Sequence, residues 1–277
     1  MDIRFIDSLI AVVEQGSIAA AARMQNITAA AVGQRIKALE QDLNAILLHR
    51  DGHKALPTAA CRRFIPRAKL LLKEFSSLRA ELDAEGLTGE FRIGAISSAL
   101  VEHIPQIVQA FRERAPNAEL KIIPGTSAYL FEELSEGRLD VAILVEPNVA
   151  LPKHLIKSRI VDQRYAVIGD PHTQNPLIVY DRESWGGKTA WQWIEQNFAQ
   201  HKILCELDSL ETIIALVQRK MGFAVVPVFA GMGDQIDPRF IKTIEDEQIM
   251  RRIVLASPSK FSFPALLQIV EDTILAR

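Results

Sequence analysis

The sequence predicts an α/β chain preceded by an all-helical N-terminal part. Three observations predict it. Residues 3–84 show only helical apolar spacing. From residue 91 onward, short apolar runs alternate with helical patterns. The two stretches also differ in the sign of their charge. Residues 1–73 hold 11 Lys and Arg against 6 Asp and Glu, a net of +5, and the remainder holds 21 against 28, a net of −7. A basic head on an acidic body points to a polyanion-binding module joined to a second domain.

The length of 277 residues suits two domains, and 48% hydrophobic with 24% charged residues describes a globular chain rather than a disordered one. No run of eighteen apolar residues exists, so no membrane-spanning helix is expected. The start Met1-Asp2-Ile3-Arg4 lacks a basic region followed by an apolar block, so no secretory signal is expected. Cys61 and Cys205 stand far apart, which excludes a disulfide framework and makes a reducing cytoplasm the expected setting.

The N-terminal elements follow from spacing and caps. Phe5, Leu9, Val12 and Val13 form one stripe of a helix from Ile3 to Gln15. Gly16 suits its left-handed stop, and Ser17 the next N-cap. Ile18–Met24 is a short alanine-rich helix that another helix can approach closely. After a turn at Gln25-Asn26-Ile27, Thr28 caps a third helix buried through Val32, Ile36, Leu39 and Leu43. Its other face carries Thr28, Ala29, Ala31, Gln34, Arg35 and Lys37. This is the pattern of a helix-turn-helix, whose last helix fits the major groove. His49-Arg50-Asp51-Gly52-His53-Lys54 reads as a Gly-centred hairpin, a wing whose Arg50, His53 and Lys54 would meet phosphates or the minor groove. A small helical bundle with a solvated face has the same spacing, and spacing alone does not choose.

Thr58 opens a long helix to about Ala84, with Pro66 inside it. Phe64, Ala68, Leu71, Phe75, Leu78 and Leu82 form an alternating four-three seam, suited to pairing with a second copy. Glu85-Gly86-Leu87-Thr88-Gly89 then breaks it. In the body, strands are expected at Phe91–Ile96, Leu120–Ile123, Val141–Val145, Tyr165–Ile168, Leu177–Val179, Ile203–Leu207, Ala224–Val226 and Ile253–Ala256. Helices are expected at Leu100–Ala115, Tyr129–Glu136, Trp191–Gln200, Ser209–Lys220 and Ala265–Leu275. Asp208 with Glu211 reads as a capping box, and Gly222 as a helix stop.

The stretch Phe5–Leu82 resembles the N-terminal region of LysR-type transcriptional regulators. The carrying residues are Val12-Val13-Glu14-Gln15-Gly16-Ser17-Ile18, Ala31-Val32, Gln34-Arg35-Ile36-Lys37-Ala38-Leu39-Glu40 and Pro57-Thr58. Further on, Phe111-Arg112-Glu113-Arg114-Ala115-Pro116, Gly137-Arg138-Leu139-Asp140-Val141-Ala142-Ile143 and Gly222-Phe223-Ala224-Val225-Val226-Pro227 are similar to the family's effector domain. The resemblance implies a winged helix-turn-helix over 1–57, a linker and dimerisation helix over 58–88, and a periplasmic-binding-protein-like domain over 89–277. Two α/β subdomains are implied, about 89–160 with 254–277 and about 161–253, with crossovers near Glu146–Val161 and Arg251–Pro258. It also implies double-stranded DNA as partner, homodimers that pair into tetramers, and contact with RNA polymerase. This chain departs from the family at Thr28-Ala29-Ala30 and Gly33, where polar residues are usual.

Ligands of open α/β sheets bind beyond the carboxyl ends of strands, where helix N-termini offer free N–H groups. The resemblance implies effector contacts at such positions, carried over to Ser97, Ser98, Thr126 and Ser127, and Glu146, Trp185, Lys188 and Asp208 join them as candidates near the strand ends. Each Ser or Thr also suits a plain N-cap. Lys188 would favour an anion and Glu146 a cation, or the two together a zwitterion. Gly187-Lys188-Thr189 imitates a phosphate loop, but Arg182 stands where its first glycine is required. No H-E-x-x-H, C-x-x-C or G-x-S-x-G occurs, and the six histidines show no metal-ligand spacing. No enzyme activity, cofactor or metal is expected, and both cysteines read as structural.

Overall fold

The computed structural model describes residues 2–51, 54–81, 87–172, 174–246, 249–260 and 263–275. The chain forms two units, residues 1–82 and 83–277.

In the first unit, helix α1 spans Ile3–Gln15. Asp2 caps it by accepting from the Arg4 amide, and Gly16 ends it at φ +68°, a conformation that strains any L side chain. Helix α2 (Ile18–Met24) is capped by Ser17 and α3 (Ala29–Leu43) by Thr28, each through its hydroxyl. The buried stripes of the three helices meet at Leu9, Val12, Ala21, Val32 and Leu39. The small side chains of α2 permit this close approach. Strands β1 (Leu48–Asp51) and β2 (Lys54–Pro57) pair antiparallel as the expected wing. Glu40 fixes the turn before it, accepting from the amides of Leu47 and Leu48. Helix α4 runs Ala59–Glu81 straight through Pro66, opened by Thr58, whose hydroxyl accepts from the Cys61 amide.

The expected seam of α4 divides its work. Phe64 and Ala68 pack on the core of the head. Leu71 and Phe75 stay 45% and 53% exposed. The side chain of Leu78, and Leu82 altogether, lie outside the described residues.

The second unit is α/β. Its elements are β3 (Gly89–Ala95), α5 (Ser97–Glu102), α6 (Ile104–Arg114), β4 (Ala118–Pro124), α7 (Ser127–Ser135), β5 (Val141–Val145) and β6 (Leu155–Ile168). They continue with β7 (Leu177–Tyr180), α8 (Trp185–Asn197), β8 (Ile203–Leu207), α9 (Leu210–Gln218), β9 (Phe223–Pro227), α10 (Met232–Gln235), β10 (Ile241–Thr243), β11 (Met250–Pro258) and α11 (Pro264–Ile274). The strands run in the order β4-β3-β5-β11-β6-β9-β7-β8, with β10 beside β6. Within each half the strands are parallel: β3 to β4 and β5, β7 to β8 and β9. The long strands β6 and β11 run antiparallel to one another and bridge the halves, β11 pairing with β5 and β6 with β9.

Several expectations are corrected. The strand expected at Tyr165–Ile168 begins ten residues earlier, at Leu155, because β6 and β11 satisfy each other's backbone from Leu155 to Arg164. The single helix over Leu100–Ala115 is two helices that meet at His103, with Pro105 in the first turn of α6. The cap of α9 is Ser209, which accepts from the Thr212 amide, rather than Asp208. Gly222 does not end that helix; Lys220 takes the left-handed turn at φ +59°. The elements α10 and β10 carried no sequence signal that was read.

Candidate functional site

The exposed edge of α3 carries Thr28, Ala29, Gln34 and Lys37, while Ala31 and Arg35 are half-buried. Thr28 uses its hydroxyl to cap the helix. Arg35 is drawn inward: its Nη1 donates to Ser8 Oγ at 3.1 Å, Ser8 donates to Gln25 Oε1, and Gln25 Nε2 donates to Asp7. This chain ties all three helices of the head together. Burial pushes the Asp7 carboxyl up, and the Arg35 charge partly opposes it. Lys54 is exposed at the start of β2. The Arg50 side chain and His53 lie outside the described residues.

The second unit holds a cleft of about 260 Å³. It opens at the carboxyl ends of two parallel strand pairs, β3 with β4 and β7 with β8. Ile96 and Ser97 follow β3, Gly125, Thr126 and Ser127 follow β4, Ser184, Trp185 and Gly186 follow β7, and Asp208 and Ser209 follow β8. Thr126, Ser184 and Ser209 each cap the helix that starts there, so three helix N-termini meet at one opening. Ser127 Oγ accepts from the Val145 amide at 3.1 Å. Phe131 of α7 and Trp185 of α8 touch edge to face across it, with ring centroids 5.8 Å apart.

A buried polar group forms the floor. Arg251 is 3% exposed. Its Nε donates to Gln163 Oε1 at 2.9 Å, Nη2 to Ser98 Oγ at 2.8 Å, and Nη1 to the Tyr180 hydroxyl at 3.4 Å. Arg251 and Gln163 are also register partners on β11 and β6. Gln163 Nε2 donates in turn to Glu102 on α5. Tyr165 donates to the Gly186 carbonyl. Burial holds the hydroxyls of Tyr165 and Tyr180 protonated, well above the usual phenol range. Burial likewise raises the Asp208 carboxyl, with Asp181 nearby adding to the effect.

Of the expected effector residues, Ser97, Thr126, Ser127, Trp185 and Asp208 line the cleft. Ser98 lies behind it, spent on Arg251. Glu146 and Lys188 are not brought there. Glu146 is held by Lys157 at 2.5 Å and Arg252 at 3.3 Å, and Lys188 is exposed on α8 outside the lining residues. Their opposed charges therefore say nothing about a ligand. Sequence reasoning missed Arg251, Tyr180, Ser184 and Ser209. Arg251 was readable: it stands two residues before Ile253, in phase with the buried side of a strand.

Among the described residues no group of three or more His, Cys, Asp or Glu could hold a metal ion. Cys61 is buried and its thiol is pushed up to about 11, burial outweighing the nearby Arg62. Cys205 is half-buried on β8 rather than central core. No single described helix is long and apolar enough to cross a membrane.

A winged helix-turn-helix joined to a two-lobed α/β domain with a cleft between strand ends defines a DNA-binding regulator controlled by a small molecule. Residues 3–62 match the model of the bacterial regulatory helix-turn-helix proteins of the lysR family, and residues 84–276 match the LysR substrate binding domain. The chain belongs to the LysR family of transcriptional regulators, and it is a regulator rather than an enzyme. It is 29% identical over 292 residues to "Probable HTH-type transcriptional regulator LrrA" of Synechococcus elongatus, covering 97% of each chain. Its fold is similar to that of a full-length OxyR variant from Pseudomonas aeruginosa, with a TM-score of 0.74, 18% identity and coverage of 99% of this chain and 94% of that one. It is also similar to full-length CbnR in complex with its target DNA, with a TM-score of 0.64, 19% identity and full coverage of both chains.

Proposed function

We propose that α3 and the wing read duplex DNA. In this reading Thr28, Ala29, Ala31, Gln34 and Lys37 face the major groove, and Arg50, His53 and Lys54 meet the backbone or the minor groove. Arg35 acts as a positioning residue, setting α3 against α1 through Ser8. Residues 58–88 join two copies through α4, a reading supported by the exposure of Leu71 and Phe75. Pairs of dimers, contact with RNA polymerase and a cytoplasmic setting complete the proposal, the last supported by DNA as partner and by free Cys61 and Cys205. The effector domain spans 89–277, its lobes dividing near 160 and 253, where the β6–β11 register shifts between Ile253 and Val254. A small-molecule effector occupies the cleft at Ser97, Thr126, Ser127, Trp185 and Asp208. It favours one arrangement of the lobes, and only that difference in affinity can alter binding to DNA.

The observation that carries the proposal is the exposed edge of α3, polar and cationic while the opposite face is fully buried. A salt titration of operator binding tests it. Lys37→Ala and Lys54→Ala should each flatten the plot of log affinity against log salt by about 0.9 if each meets one phosphate. Slopes and affinities equal to those of the unaltered chain would remove both residues from the interface.

A further inference from the structure

We propose that the effector is a small organic acid whose carboxylate binds the free edge of the Arg251 guanidinium, with an apolar body against Ile96, Leu100, Pro124 and Trp185. The proposal rests on the reading of this cleft as the effector site and names the chemistry that it selects.

Arg251 lines the cleft and is 97% buried, yet among the described residues every partner it has is neutral. A guanidinium offers five N–H donors. Gln163, Ser98 and Tyr180 take three of them, leaving one on each terminal nitrogen. Donors on both terminal nitrogens suit a carboxylate, which can accept two hydrogen bonds from one guanidinium. Asp208 acts on Arg251 only through space and through Tyr180, so an arriving carboxylate would give the buried cation its direct partner.

The surroundings favour the same sign. The N-termini of α7, α8 and α9 turn their positive ends to the opening at Thr126, Ser184 and Ser209. The one acidic side chain in the lining, Asp208, has its carboxyl raised by burial, with Arg251 and Tyr180 opposing the shift. Ile96, Leu100, Pro124 and Trp185 supply the apolar part of the wall, beside the hydroxyl-bearing Ser97, Ser127 and Tyr180. The volume of about 260 Å³ lies just below the usual range of about 300–1,000 Å³ for small-molecule pockets, which limits the ligand's body to a short chain or one ring.

The test uses the full chain at constant ionic strength. Calorimetry and tryptophan emission are recorded with butanoate, hexanoate and phenylacetate, each beside its amide and its primary amine. All three tryptophans lie at 185–193, so emission reports on the effector unit alone. At least one carboxylate should bind saturably and change the emission, roughly tenfold to a hundredfold more tightly than its amide or amine. Arg251→Met, which keeps the bulk and removes the charge, should abolish that binding. If this variant fails to fold, the carboxylate-to-amide ratio in the unaltered chain decides. An amide or amine that binds as tightly as the acid overturns the anion assignment while leaving the cleft as the effector site. Carboxylate binding that survives in folded Arg251→Met, or no saturable binding by any of the acids, overturns the proposal.

Discussion

Replacing Gly33 by alanine should stabilise α3 without altering its packing. Gly33 lies in the middle of the helix outside the positive-φ glycines, and a Cβ built on it meets no atom within 4 Å. No cavity is filled and no contact is gained, so the effect reduces to intrinsic helix preference and the lost freedom of the unfolded chain. These are worth about 0.8–1 kcal/mol. For a unit of the size of residues 1–82, that is a rise of roughly 4–8 °C in its transition. Fluorescence cannot follow it, because every Trp and Tyr lies between 129 and 193, in the other unit. Amide hydrogen exchange in α3 of the full chain can. Exchange limited by unfolding of the head should slow about fivefold. Exchange as fast as in the unaltered chain, or faster, would refute the argument that position 33 is an open helical site. A gel shift on the same variant then isolates the groove contact, since any change in DNA affinity cannot come from a weakened helix.

Two further outcomes follow from the effector unit. Asp208 has its folded carboxyl raised above the unfolded value, so ionising it costs stability as pH rises through and above the ordinary carboxylate range. Asp208→Asn should therefore melt higher than the unaltered chain at neutral pH, by roughly 2–4 °C for each kcal/mol relieved, and the gap should close as pH falls below about 4; a constant gap across that range would contradict it. Gly187→Ala would drive a Cβ into the Asp181 carbonyl oxygen and to 2.8 Å from Ser184 Oγ. Backbone must move, so the loss should reach or exceed the upper end of about 1–3 kcal/mol for overpacking, seen as a lower urea midpoint. A midpoint unchanged by the substitution would mean that the start of α8 is looser than its geometry shows.

The head was legible because its determinants are local. Gly16, Ser17 and Thr28 each act within a few residues of themselves, and each does what its type predicts. The bridging strand β6 was not, because Lys157, Ser158 and Arg159 show no apolar run. Their extended form depends on β11, about a hundred residues away, as ladder partner. Pro105 did announce the break before α6, but the apolar spacing on either side concealed it. At the cleft, Ser and Thr residues were found from strand ends, a rule of topology. Arg251 was overlooked because a paired Arg251-Arg252 reads as a solvated turn. Arg251 is 3% exposed, while Arg252 sits in the open with Asp162. Conversely, Glu146 and Lys188 carried charge at plausible places, and only the fold shows that local partners or solvent claim them.

A ribbon of two long strands with one slipped residue at mid-length acts as a swivel. In β6, Val161 faces Ile253 and Arg159 faces Val254, so Ile160 is the residue left over. Such an irregularity bends its strand and sharpens the local twist. On one side of it β11 is clamped to β5, and on the other β6 is clamped to β9. Stretching or shearing the ribbon would break ladder bonds, whereas rotation about its long axis would not. A change of twist in this ribbon is therefore the deformation that costs it the fewest ladder bonds. Arg251, two residues from the slip, donates to Ser98 of one lobe and Tyr180 of the other, so it spans the two halves beside the irregularity.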